Sequence, residues 1–120
     1  MLNNFMKTYI FKTKYWHDKK ISRKIEVLGN VSLYKLAKAI VDAYGFDFDH
    51  CFGFFSNLGN NYFKSEKQYE LFADLPDVEP TRASSVKKTK VLQVWKDIND
   101  KMLFLFSFLI PRPLAAGSRT

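Results

Sequence analysis

Between residues 31 and 50 the apolar positions Leu33, Leu36, Ala37, Ile40, Val41 and Tyr44 recur at the three- and four-residue intervals of one helical face, while Lys35, Lys38 and Asp42 occupy the other. Ser32 is placed to cap the first turn through its hydroxyl, and Gly45 to close the last turn in the left-handed conformation. The pattern predicts a main helix over about 32–44. Ahead of it the period changes to two. In 7–15, Tyr9, Phe11, Thr13 and Tyr15 share one face of a strand, and Ile10, Lys12 and Lys14 share the other. Alternation resumes in 21–28 with Ile21, Ile25 and Val27 pointing one way, so 16–20 reads as the turn of an antiparallel hairpin. Gly29 and Asn30 supply a turn into the helix.

Beyond Gly45 the aromatic-rich segment 50–55 predicts a third strand, followed by a turn cluster over 57–61 and a short strand beginning at Tyr62 and Phe63. Tyr69, Phe72 and Ala73 fall at helical spacing within an ambiguous stretch, 65–75, and 76–90 with Pro76 and Pro80 reads as a loop. Val91, Val94, Trp95 and Ile98 predict a short second helix over about 90–98, with Thr89 as its candidate cap, and 101–106 reads as a buried strand. A hairpin followed by one long helix and further strands is an α+β order. The expected architecture is a small antiparallel or mixed sheet with the main helix packed on one face.

The chain of 120 residues is long enough to bury one core without disulfides or metal, and 1–106 is expected to form that single domain. Its one cysteine, Cys51, cannot close an internal disulfide, and residues 1–20 lack the apolar core of a signal peptide. Both point to the cytoplasm. The longest strongly apolar run, 102–110, is nine residues against the roughly 20 that a membrane-spanning helix needs, so no membrane association is expected. The net charge of +7 is unevenly spread: nine basic and two acidic groups in 1–40, two and eight in 41–80, eight and two in 81–120. Such asymmetry permits a basic face that attracts phosphate, although lysines also solubilise surfaces and strand edges.

Candidate chemistry is sparse. His50 beside Asp49 and Cys51 has the residue types of a metal or acid–base cluster, but strand alternation sends His50 to the face opposite its neighbours, which favours a structural histidine. His17-Asp18 has the composition of a general base with its orienting carboxylate, set in a charged turn that favours a surface role. No base faces Cys51 in the pattern, and the five glycines are scattered, so neither a thiol nucleophile nor a phosphate-cradling loop is indicated. No catalytic, metal or cofactor site is assigned. The strongest binding signal is the hairpin, where Lys12, Lys14, Arg23 and Lys24 are candidate nucleic-acid contacts, together with Lys19 and Lys20 and interleaved with Tyr9, Phe11, Tyr15 and Trp16. Cations that track phosphate and rings that stack bases make a single-strand-binding sheet; the competing arrangement turns the rings to the core and the lysines to water.

The succession Ile21-Ser22-Arg23-Lys24-Ile25, the helix opening Val31-Ser32-Leu33 and closing Ala43-Tyr44-Gly45-Phe46, and the segment His50-Cys51-Phe52-Gly53-Phe54 resembles the Ri-plasmid open-reading-frame-three-like family. That family includes TnpR-like passenger proteins of insertion elements. The resemblance extends over roughly 8–106 and implies an α+β fold, a plasmid or mobile-element context, and a family-motif position at His50. After the strand matching 101–106 the family pattern has aspartate, aromatic, glycine, aspartate, any residue and tryptophan, whereas this chain continues SFLIPRPLAAGSRT. Residues 107–120 are therefore expected to be a non-native, frameshifted or disordered tail. Two function classes stay open: a binding or interaction module associated with nucleic acid or protein, and an enzyme whose carboxylate motif lies on a missing C-terminal strand. Loss of that strand would also leave the edge 101–106 open for self-association.

Overall fold

A computed structural model describes residues 7–71, 83–97 and 99–107. The elements run β1 (Thr8–Tyr15), β2 (Asp18–Leu28), α1 (Leu33–Ala43), β3 (Cys51–Phe55), a 3-10 turn (Tyr62–Lys64), β4 (Gln68–Glu70), β5 (Ser84–Ser85), a single helical turn α2 (Val91–Val94) and β6 (Leu103–Ser107). β1 and β2 make an antiparallel two-stranded sheet; the remaining strands make a mixed sheet ordered β5-β4-β3-β6, with β4–β5 as the parallel pair. The fold is α+β, as the periodicities imply.

Both ends of α1 form for chemical reasons present in the sequence. Ser32 Oγ accepts the Lys35 N–H at 3.2 Å. The other free donors of the first turn go to a distant segment, Leu33 N–H to the Thr89 carbonyl at 2.9 Å and Tyr34 N–H to that of Val86 at 3.1 Å. Gly45, at φ 77°, closes the helix, with its own N–H on the Asp42 carbonyl and the Phe46 N–H on that of Val41. This is the Schellman arrangement, which satisfies carbonyls that the last turn leaves open.

The buried stripe of α1 (Leu33, Leu36, Ala37, Ile40) joins one core with the inner face of the hairpin, where Ile25 is buried and Tyr9, Phe11 and Val27 are partly so. The same core takes in one face of the mixed sheet through Phe52, Phe54, Phe104 and Phe106. Trp95 links the two sheets, its ring 4.7 Å from Phe11 and 6.1 Å from Phe54. On the opposite face of the mixed sheet Phe55 packs on Tyr62, with Leu103 and Leu105 beside them. Gln68 fastens this second cluster by donating to the Phe63 and Ser65 carbonyls.

Four elements depart from the sequence pattern, β5 among them, since Ser84 and Ser85, in the stretch 76–90 that reads as a loop, pair in parallel with Tyr69 and Glu70. Tyr62 and Phe63 lie in the 3-10 turn instead of a strand, and Tyr69 lies in β4 instead of a helical turn, because 68–70 pair with Phe55, Phe54 and Gly53 across the ladder. The second helix is one turn long: Trp95 leaves the helical region at φ −92° and ψ 95°. Lys90 is its N-cap, with its N–H on Gln93 Oε1 at 2.7 Å, while the Thr89 hydroxyl donates to the Ser85 carbonyl. Phe72, Ala73, Pro76, Pro80, Ile98 and the tail 108–120 lie outside the described residues.

Candidate nucleic-acid interface

Residues 8–14 of β1 pair with 22–28 of β2, so Lys12 stands directly across from Lys24, Thr13 from Arg23, and Lys14 from Ser22. This is the register that a connection over 16–20 sets. The ladder then shifts between Lys14 and Tyr15, and Tyr15 pairs with Asp18 across a two-residue turn at Trp16 and His17. Two-residue hairpin turns that match strand twist need positive φ, and no non-glycine residue described here has it. The extra residues 19–21 absorb the mismatch as an irregularity of β2.

Cross-strand partners share a face, so Lys12, Lys14 and Lys24 lie together on the outer side and all are exposed. None of the three forms an ion pair among the described residues; the acid on that face of β2, Glu26, stands across from Ile10. Like charges directly opposite each other on a strand pair are destabilising. Tyr9 and Phe11 take the inner side and belong to the core, which removes them from any outward surface.

Arg23 is on the inner side with Thr13. Its Nε donates to the Ala43 carbonyl at 2.9 Å, its Nη1 to the Ser22 carbonyl at 2.8 Å, and its guanidinium lies 4.9 Å from the centre of the Tyr44 ring. The Tyr44 and Thr13 hydroxyls are 2.7 Å apart. A cation on the last carbonyls of α1 is favoured by the helix dipole, and these contacts join the helix end to the middle of the hairpin. Arg23 thus lies on the opposite face of the strand pair from the three lysines. Periodicity alone places it opposite Lys24; its partners Ala43 and Tyr44 could be found only from the fold.

The other candidates are structural in character. Asp49 Oδ1 lies 2.8 Å from His50 Nδ1, and the His50 ring stacks on Phe106 with centroids 5.0 Å apart and planes 15° from parallel. These contacts hold the loop entering β3 against β6. Asp18 Oδ1 accepts the Lys20 N–H at 3.1 Å, which spends that oxygen on the turn, and His17 packs edge-on to Tyr15 instead. Cys51 opens β3, half-buried, across from Ser107. Among the described residues no group of three or more His, Cys, Asp and Glu could hold a metal ion, and no helix is long and apolar enough to cross a membrane. Sequence patterning missed the cation–π pair at the tip, Lys19 Nζ 5.7 Å from the Trp16 ring, whose only signal is the spacing of a lysine three residues after a tryptophan in a turn. No protein-family model, curated protein or solved structure matches this chain.

Proposed function

We propose that this chain is a binding module associated with nucleic acid, of the mobile-element accessory kind its motifs resemble, and that it meets phosphate through the outer face of the β1–β2 hairpin. The observation that carries the reading is the exposed cluster of Lys12, Lys24 and Lys14, unpaired by any acid among the described residues. Cross-strand repulsion makes such a cluster mildly unfavourable in the free protein, and an anionic ligand relieves it. Arg23, held on the helix end, serves as a strut in this scheme and is not a phosphate contact. A second contact, self-association, is proposed for β6, the outermost strand of the mixed sheet among the described residues.

Fluorescence anisotropy of a labelled oligonucleotide of arbitrary sequence tests the phosphate reading. Three neutralised phosphates on a single strand give a log–log salt slope near −2, from about −0.7 per contact. Replacing Lys12, Lys14 and Lys24 together with Ala is expected to flatten the slope nearly to zero while the protein stays folded, since exposed charges contribute little stability. Flat titrations of the native chain at both low and near-physiological salt would sink the reading.

A further inference from the structure

The distal half of the hairpin carries aromatic side chains that the core does not absorb. Trp16 is 58% exposed at the turn and Tyr15 is 36% exposed beside it, whereas the chain's other tryptophan, Trp95, is packed between Phe11 and Phe54. The tip rings are nevertheless arranged. Tyr15 lies 5.4 Å from the His17 ring and 6.3 Å from Tyr44, and Tyr44 is fixed by Thr13 and Arg23, so a row of rings runs from the end of α1 to the turn. That row lies on the inner face; Lys19 sits over Trp16 at the tip, and Lys14, Lys12 and Lys24 continue from the tip along the outer face.

We propose that Trp16, exposed at the tip beside Lys19, stacks an unpaired base, so that the partner of this hairpin is single-stranded nucleic acid whose phosphates run from Lys19 along the outer-face lysines. This rests on the nucleic-acid reading above and narrows it. A tryptophan left in water exposes a large apolar surface, and its π-face accepts any base, while a duplex keeps its base faces stacked inside. The cationic setting fits the same ligand, because every stacked base brings a phosphate with it.

Binding of an oligothymidylate of about 15 nucleotides, within the usual site size of single-strand binders, is compared with binding of a blunt duplex of equal length. Anisotropy reports affinity, and emission of Trp16 reports stacking in a Trp95→Phe chain; should that variant fail to fold, anisotropy on the otherwise native chain carries the test. The expected result is preference for the single strand, quenching of Trp16, and weakening by roughly tenfold in Trp16→Ala, the effect of losing one stacked base. Trp16→Phe should retain most of the affinity, and Trp16→Ala should leave the salt slope unchanged because no charge is lost. Salt-dependent binding of both ligands alike, with neither quenching nor an effect of Trp16→Ala, overturns the stacking and leaves the phosphate contacts standing. Absence of binding to either ligand overturns both.

Discussion

Arg23 and Lys24 are adjacent basic residues of one strand with opposite physical roles, because alternation gives each a different face. Arg23 donates to the last carbonyl of α1 and stacks on Tyr44; Lys24 faces Lys12 across water. Arg23→Ala is expected to lower stability by about 1 kcal/mol, the contribution of a charge-assisted hydrogen bond reduced by solvent exposure. Lys24→Ala should be neutral or slightly stabilising, since it removes a like-charge pair. Urea denaturation of the two variants separates these outcomes, and an equal loss in both would contradict the assignment of Arg23 as a strut. The basic character of both residues was legible in the sequence, but their difference depends on what lies behind the strand.

At the scale of elements, β3 is closely packed. It is the central strand between β4 and β6, its residues 52–55 are all buried, and Gly53 lies beneath the ring of its own neighbour Phe55. A Cβ at position 53 would sit 2.8 Å from Phe55 Cζ and 2.9 Å from the Tyr69 carbonyl oxygen. The ring could turn aside only by leaving Tyr62, and the carbonyl belongs to the neighbouring strand, so Gly53→Ala is expected to destabilise by about 1–3 kcal/mol, as overpacking does. Gly59→Ala, where an added Cβ meets nothing within 4 Å, is the matched control. Comparing the two by thermal denaturation checks the claim; similar melting temperatures would show that β3 yields more easily than its contacts indicate. The aromatic run of β3 was readable as a strand, whereas β4 was not. Its three residues are too few to establish a period, and pairing with β3 decides their conformation.

At the scale of the whole molecule, β6 ends the mixed sheet among the described residues, and Met102, Leu103, Phe104, Leu105 and Phe106 are uncharged and half-buried. An uncharged edge of this kind offers a ladder to a second copy. The expected outcome in sedimentation velocity is a rising average mass across roughly the 1–100 μM range, where exposed edges associate; a constant monomer across that range would count against self-association through β6. Local sequence determined the hairpin, α1 with both of its caps, β3, β6 and the basic face of β1, because each rests on a period or a cap contained within about a dozen neighbouring residues. Tertiary structure alone decided the rest. Trp95 breaks α2 to reach Phe11 and Phe54, and the donors of Leu33 and Tyr34 find carbonyls more than fifty residues away. The physical reason is the same in each case: the deciding partner is distant in the chain, and the energy of meeting it exceeds the weak local preference it overrides.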